Sequence, residues 1–314
     1  MGDVRQERGM ELDQKIIDSL GNFVEHSSFG NRGGVMTDLD GTAIHENAGR
    51  IYIPKPVEMG LKALHDLGRP FVLNTLRFPL SVIRTFGRDW YRVSGSPIPT
   101  VTLNGSLIGY VTVTKEDEMT FEEIAAEPMN DEDIEGVLAI VEQLVDDGLK
   151  NVLLFYYPRD WRLGEIIWTP VAERIMPVKE KYMSASSVHA AVLPKLRDML
   201  HDEEICMIFL LIDATEKQLM SYQHTRRNNF FTSGKTDKLA GARRAAQILG
   251  FDLAGSLGAG DTELDRFLNG VGCAILVGGI PLEFSGLIET IQLRDSFEFG
   301  ALLFRLADMI KAAG

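Results

Sequence analysis

Two aspartates stand directly behind a short apolar segment near the start of this chain. Residues 35–37 predict a strand, and Asp38-Leu39-Asp40-Gly41-Thr42 follows it without a break. A helix is predicted at about 56–67 and a second strand at 71–74. Strand, helix and strand in this order favour a parallel βαβ unit. We therefore expect an α/β fold with the two aspartates at the carboxyl end of a strand.

The same alternation returns in the last quarter of the chain. Residues 238–249 predict a helix, and residues 255–260 predict a strand that ends at Asp261. A further strand at 272–277 and an amphipathic helix at 298–312 complete the pattern. The two ends of the chain are therefore expected to build one sheet together.

The middle of the chain interrupts this alternation. We expect a core domain of residues 1–79 and 229–314, with residues 80–228 inserted as a second, α+β domain. A separate helix at 10–25 precedes the first strand. The elements predicted in the insert are a hairpin around Asn104-Gly105, a solvated helix with its approach at 116–135, a hairpin of 152–157 with 164–168, a helix at 188–201 and a strand at 205–212.

Composition restricts the partners expected for this chain. Of its 314 residues, 45% are hydrophobic and 25% are charged, which favours a packed core over disorder. The net charge of -13 argues against nucleic acid and against an anionic membrane surface, because both require basic faces. No apolar run approaches the ~20 residues of a membrane span, so the cytoplasm is the expected compartment. Cys206 and Cys273 are too few for a Cys-rich metal site or a disulfide scaffold.

Four carboxylates are placed to meet at one edge of the predicted sheet. Asp38 and Asp40 follow the first strand, Asp261 ends a later strand, and Asp265 lies one helical turn further on. Such a cluster is costly unless a cation neutralises it, and Mg²⁺ takes oxygen ligands of this kind. An Asp-x-Asp-Gly segment alone is often only a turn. The order of the residues and their positions at strand ends carry the interpretation.

Two further side chains suit a phosphoryl group. Thr75 ends the second strand, and Lys238 lies near the start of a helix. A phosphoryl group in transfer spreads negative charge over its oxygens, so a hydroxyl, an ammonium and a metal ion can stabilise it. Lys235 competes for the lysine role, and the helix spacing favours Lys238.

The order of these residues resembles the haloacid dehalogenase-like (HAD) phosphatase superfamily. Only 37 residues separate the first motif from the second, whereas 163 separate the second from the third. The resemblance therefore implies a Rossmann-like doubly wound parallel sheet core with an inserted α+β cap domain of type C2. The matching motifs are Asp38-Leu39-Asp40-Gly41-Thr42, Thr75, Lys238, and Gly260-Asp261 with Asp265.

One segment of the insert points to a branch of that superfamily. Leu103-Asn104-Gly105-Ser106 looks like the entry to the cap in the Cof-like, type IIB branch. That branch includes many sugar-phosphate phosphatases. The implied function is magnesium-dependent hydrolysis of a small phosphorylated metabolite, in particular a sugar phosphate.

The resemblance also assigns roles to residues. Asp38 attacks phosphorus and forms an aspartyl-phosphate, while Asp40 protonates the leaving oxygen and then activates water. Thr75 and Lys238 bind the phosphoryl oxygens of the substrate, and Arg77 is a further substrate-binding residue. The implied Mg²⁺ ligands are the Asp38 carboxylate, the Asp40 backbone carbonyl and Asp261, with Asp265 in support.

Several positions depart from the family pattern. Leu76 stands where the second motif usually has Gly, Leu264 replaces an Asn in the fourth motif, and Leu239 follows Lys238 in place of Gly. Leu76 and Leu264 motivate one alternative, a catalytically weak regulatory or binding protein on this scaffold. A phosphomutase is a second alternative. The helix at 10–25 is expected to pad the core or to form a dimer contact, so a homodimer is also open.

Overall fold

The computed structural model describes residues 12–47, 49–212 and 229–313. The chain forms two compact units. The first has the bounds Met1–Thr75, Thr85–Pro99 and Ala242–Gly314, and the second has the bounds Leu76–Arg84 and Thr100–Gly241. The domain limits expected from the sequence stay a prediction.

The α-helices range from single turns to one of 18 residues. They are α1 Gln14–His26, α2 Phe29–Arg32, α3 Lys55–Asp66, α4 Pro79–Val82, α5 Arg88–Ser94, α6 Asp131–Asp146, α7 Ile175–Lys181, α8 Leu193–His201, α9 Lys238–Leu249 and α10 Ser296–Ala313. A π-helical turn, Ile83–Gly87, joins α4 to α5.

The strands are mostly short. They are β1 Val35–Thr37, β2 His45–Asn47, β3 Arg50–Tyr52, β4 Phe71–Asn74, β5 Ile98–Thr102, β6 Leu107–Val113, β7 Met119–Ala126, β8 Val152–Pro158, β9 Ile166–Thr169, β10 Ser187–Ala190, β11 Ile205–Ile212, β12 Phe230–Phe231, β13 Leu257–Gly260, β14 Cys273–Val277 and β15 Glu289–Leu293.

The first unit is built on a parallel sheet with β1 near its middle. β1 pairs in parallel with β4 on one side and with β13 on the other. β14 and β15 continue the sheet beyond β13, also in parallel. Every residue of β1, β4, β13 and β14 is buried, as in a sheet covered on both faces. The expected α/β class with a Rossmann-like parallel core is confirmed.

Helices α3 and α10 pack closely in this unit because glycines line their contact. A β-carbon on Gly60 would stand 2.6 Å from the β-carbon of Leu303. A β-carbon on Gly300 would collide with the backbone at Pro56. The two helices therefore form a tightly fitted pair near the start of α10.

The predicted N-terminal helix is α1, and it pads the core. Leu20 and Phe23 are fully buried, and Phe23 meets Phe29 edge to face at 5.5 Å. The helix packs beside β15, where Asn22 donates a hydrogen bond to Glu289. Residues 10 and 11 of the predicted helix lie outside the described residues.

The second unit contains a five-stranded sheet and, apart from that sheet, the antiparallel strands β6 and β7. The sheet has the order β10-β9-β8-β11-β12, and β6 pairs with β7. One face of the sheet packs on α6 and α8 through residues such as Leu154, Trp168 and Leu196. The predicted hairpin of 152–157 with 164–168 is confirmed as β8 and β9.

Two predicted elements of the insert are wrong in part. Residues 119–126, expected in an acidic helix, form β7, because Phe121 is buried in register with Val111 of β6. The helix itself begins only at Asp131, behind a capping box of Asn130 and Asp133. Residues 188–190, also expected to be helical, belong to β10, and Pro194 marks the first turn of α8 instead.

No helix among the described residues has the length and apolarity needed to cross a membrane.

Candidate functional site

The carboxyl end of β1 places Asp38 beside the strand that carries Asp261. The backbone N–H of Asp38 donates to the carbonyl of Ala259 at 2.9 Å, which continues the pairing of β1 with β13. Asp38 is only 5% exposed. Because parallel strands end at the same edge, the sheet itself delivers both aspartates to one place.

Three carboxylates meet at this edge. One carboxylate oxygen each from Asp38, Asp261 and Asp265 lies within 4.8 Å of the others. Asp38 and Asp265 are buried, and Asp261 is half-buried. Three like charges this close and this poorly solvated strongly favour a bound cation. An all-oxygen donor set of this kind fits Mg²⁺.

Asp265 shapes the loop that presents Asp261. Its Oδ2 accepts hydrogen bonds from the backbone N–H of Asp261 at 3.0 Å and of Thr262 at 2.9 Å. The hydroxyl of Thr262 donates to the same oxygen at 3.2 Å. Asp265 is fully buried, so this carboxylate is a fixed part of the loop. The loop keeps its form through these bonds.

The segment after Asp38 contacts Asp261 through two residues whose roles the sequence did not reveal. Gly41 has a φ of +72°, and a β-carbon there would overlap the carboxylate of Asp261. Thr42 is fully buried, and its Oγ1 donates to Oδ1 of Asp261 at 3.3 Å. In the sequence, the only indication that Gly41 and Thr42 belong to the site was their place in the first motif. Position 41 therefore requires glycine.

Asp40 and Thr75 also lie at this end of the first unit. Asp40 is exposed, and it forms an isolated β-bridge with Ile44. Thr75 follows β4 directly and is 1% exposed. The β1–β4 register pairs Thr37 with Leu73, so Thr75 lies at the edge that carries Asp38. Of these two predicted site residues, Asp40 is thus exposed to solvent and Thr75 is buried.

Arg77 and Lys238 belong to the second unit. Arg77 donates from Nη1 to the hydroxyl of Ser81 at 2.9 Å. Lys238 is the first residue of α9 and is 2% exposed, whereas Lys235 is exposed. The roles of both Arg77 and Lys238 at a phosphoryl group stay predictions.

The predicted turn at Asn104-Gly105 packs against the start of α9 within the second unit. Asn104 and Gly105 have φ values of +57° and +94°. A β-carbon on Gly105 would collide with the carbonyl of Asp237, and one on Gly241 would stand 2.6 Å from the α-carbon of Gly105. The two glycines therefore let this turn touch the first turn of the helix that Lys238 begins.

Comparison with known proteins gives a fold and no close relative. The sequence matches no protein-family model and no curated protein. Similar solved structures include a Bacteroides thetaiotaomicron phosphatase of the HAD superfamily, at 14% identity and a TM-score of 0.59 over 90% of this chain and 97% of that one. A HAD subclass IIB sugar phosphatase is 15% identical, with a TM-score of 0.56 over 90% of this chain and 99% of that one. A HAD-like hydrolase from B. subtilis is 17% identical, with a TM-score of 0.57 over 88% of this chain and 98% of that one.

These likenesses span nearly the whole of each chain, although identity is low. They agree with the resemblance that the four motifs indicated and with the parallel sheet that carries the aspartates. The chain has the fold of the haloacid dehalogenase-like phosphatases, including that of a subclass IIB sugar phosphatase.

Proposed function

We propose that the chain is a magnesium-dependent phosphatase that hydrolyses a small phosphate monoester, in particular a sugar phosphate. The observation that carries the proposal is the meeting of Asp38, Asp261 and Asp265 within 4.8 Å at the carboxyl ends of β1 and β13. A phosphatase of the HAD superfamily and a subclass IIB sugar phosphatase share the fold, which supports the reaction class.

Two steps complete the proposed reaction. In the first, a carboxylate oxygen of Asp38 bonds to phosphorus, the ester P–O bond breaks, and Asp40 gives its proton to the departing alcohol oxygen. In the second, Asp40 takes a proton from water, the water oxygen bonds to phosphorus, and the Asp38–phosphorus bond breaks. The products are the alcohol and inorganic phosphate, and both aspartates return to their first state.

The surrounding residues would bind the metal ion and the phosphoryl oxygens. Asp38, Asp261 and Asp265, with the backbone carbonyl of Asp40, would hold Mg²⁺, which when bound offsets the charge of the phosphoryl oxygens. Thr75 supplies a hydroxyl to those oxygens. We also propose that Arg77 and Lys238 supply positive charge to the substrate phosphate.

Phosphate release from p-nitrophenyl phosphate tests the proposal. We expect activity that requires Mg²⁺ and disappears with chelator. Asp38→Asn removes the nucleophile and should lower kcat on the order of 10⁴-fold or more. Asp89→Asn, an exposed aspartate of the same unit, is the matched control and should leave kcat unchanged. Equal activity in wild type and Asp38→Asn would end the enzyme proposal.

The same preparation separates the two alternatives. The alternative of a catalytically weak binding protein is motivated by Leu76 and by Leu264, which is half-buried and precedes Asp265. It would bind phosphate esters but release no phosphate above the Asp38→Asn level. A phosphomutase would move the phosphoryl group of a sugar bisphosphate between hydroxyls with little free phosphate, which mass balance detects.

A further inference from the structure

A small antiparallel pair lies directly behind the candidate nucleophile in the chain. β2 and β3 pair in the register His45 with Tyr52 and Asn47 with Arg50; we call them the β2–β3 ribbon. All three residues of β2 are exposed, and β3 is at most half-buried. A two-stranded ribbon with so little core of its own is marginally stable in water. Its position therefore depends on contacts with the rest of the unit.

The ribbon continues the segment that holds the carboxylates. Between Asp38 and β2, Gly41 packs on Asp261, Thr42 donates to it, and Asp40 bridges to Ile44. His45 is the next residue after that bridge. A shift of the ribbon would therefore be transmitted to Asp40 through a single residue.

The ring of His45 joins the ribbon to α10. It meets Tyr52, its cross-strand partner, edge to face at a centroid distance of 5.7 Å. On its other side it meets Phe297 at 5.7 Å and 66°. Phe297 lies in the first turn of α10, which Asp295 caps by accepting from the N–H groups of Phe297 and Glu298. The close α3–α10 packing makes this a rigid support.

We propose that His45 is a positioning residue whose ring holds the β2–β3 ribbon on α10 and thereby fixes Asp40 for proton transfer. The inference rests on the proposed phosphatase function. In this role the ring acts by its shape and its edge-to-face contacts, so the imidazole nitrogens are not required. That property distinguishes it from a histidine that binds substrate or moves a proton.

Four single variants test the role, each assayed for kcat and KM with p-nitrophenyl phosphate. His45→Ala and Phe297→Ala should each lower kcat by about tenfold with little change in KM, because a small displacement of a reacting group has a large kinetic effect. The double variant should lose no more than either single one, since both break the same contact. His45→Phe keeps the ring packing and should retain kcat. Phe304→Ala, an exposed ring on the same helix, is the control and should also retain it.

Trypsin gives a second readout that needs no activity. Cleavage after Arg50, within the ribbon, should be faster in His45→Ala and Phe297→Ala than in wild type, and unchanged in His45→Phe. If His45→Phe loses as much activity as His45→Ala, the nitrogens act directly and the positioning role is overturned. Unchanged cleavage in His45→Ala also overturns it. A wild type that releases no phosphate ends the proposed function, and the trypsin result then shows whether the His45 contact holds the ribbon.

Discussion

Thr42 and Asp261 are 219 positions apart in the chain and are joined by a hydrogen bond of 3.3 Å from Oγ1 to Oδ1. The bond links the segment after β1 to the loop after β13. It orients one of the three clustered carboxylates from the segment that follows Asp38. In metal sites, side chains that hydrogen-bond to a metal ligand set the orientation of that ligand and tune the affinity for the metal.

Removing that donor should weaken metal binding. Thr42→Val is expected to raise the Mg²⁺ concentration for half-maximal phosphatase activity by about 10- to 100-fold. Thr42→Ser keeps the hydroxyl and should stay near wild type. A Mg²⁺ titration of activity in the three proteins measures the effect, and an identical Mg²⁺ requirement in Thr42→Val would show that the bond is irrelevant to the ion.

Gly41 allows a comparison with a second glycine of the same conformation. Gly41→Ala adds both backbone strain and a collision with the Asp261 carboxylate, so activity should be lost. Gly68 has a φ of +70°, and a β-carbon on it would meet nothing within 4 Å. Gly68→Ala therefore adds strain alone, about 1–2 kcal/mol of unfolding free energy. Urea unfolding and phosphatase assays on both variants separate strain from collision. Full activity in Gly41→Ala would contradict the close approach.

Asp40→Asn should remove turnover without disturbing the fold, because the side chain is exposed. Loss of a general acid and base is expected to lower kcat about 10²- to 10⁴-fold. With p-nitrophenyl phosphate, whose leaving group departs without a proton, the variant should release a burst of one equivalent of nitrophenolate and then slow. Stopped-flow absorbance tests this, and a large drop in Tm would count against the interpretation.

The link between α6 and α8 should depend on pH. The carboxylates of Glu135 and Asp131 raise the pKa of His201. The pKa of Glu135 is lowered, mainly by the hydrogen bond from His201 and to a smaller extent by Arg197. The stabilisation from His201 is full below its unfolded pKa of about 6.5 and is lost as pH rises through the raised folded value. The part from Glu135 is present above about 4.5 and is lost as pH falls through its lowered folded pKa.

His201→Gln should therefore lower Tm most between about pH 4.5 and 6.5 and have a vanishing effect at alkaline pH. His189→Gln is the control, because His189 contacts only the hydroxyl of Ser187 among the hydrogen bonds described for it. Thermal unfolding across pH measures both. A Tm difference for His201→Gln that does not change with pH would exclude the charged pairs as its cause.

Glu165 should make the second unit less stable as pH rises. Burial raises the pKa of this carboxyl, although Tyr157 and Ser184 donate hydrogen bonds to it at 2.7 and 3.2 Å. The unfolded chain then releases its proton at a lower pH than the folded one, so stability falls from about pH 4.5 upward through the folded pKa. Glu165→Gln should remove that slope in urea unfolding, whereas exposed Glu180→Gln should keep it. An unchanged slope in Glu165→Gln would contradict the assignment.

The parallel core could be predicted from the sequence because its strands are short, mostly apolar runs. Residues 35–37, 71–74 and 273–277 carry that signal in the sequence and are strands in the structure. Asp38, Asp261 and Asp265 follow from it, because the ends of parallel strands share an edge. Their meeting within 4.8 Å needed the fold, since it depends on the register of β1 with β13.

Elements whose pattern is set by their partners were harder to predict. In β7, Glu122, Glu123 and Ile124 are exposed in succession, and a register shift against β6 interrupts the alternation. β2 and β3 expose charged residues, so the sequence shows no alternation of apolar and polar residues that would predict these strands. Thr42 gave no separate signal either, since a buried threonine becomes an aspartate partner only when distant strands are aligned. The sequence thus encodes ends of strands better than contacts between loops.

Asp265 has a consequence for how this centre would exchange its ion. Its Oδ2 is occupied by N–H groups of Asp261 and Thr262 and by the Thr262 hydroxyl, all of them supplied by the protein. The shape of the loop that carries Asp261 is therefore held by the protein's own donors and does not depend on a bound cation. Filling the centre would therefore require little reorganisation of this loop, so the choice among divalent ions should rest on their coordination preferences.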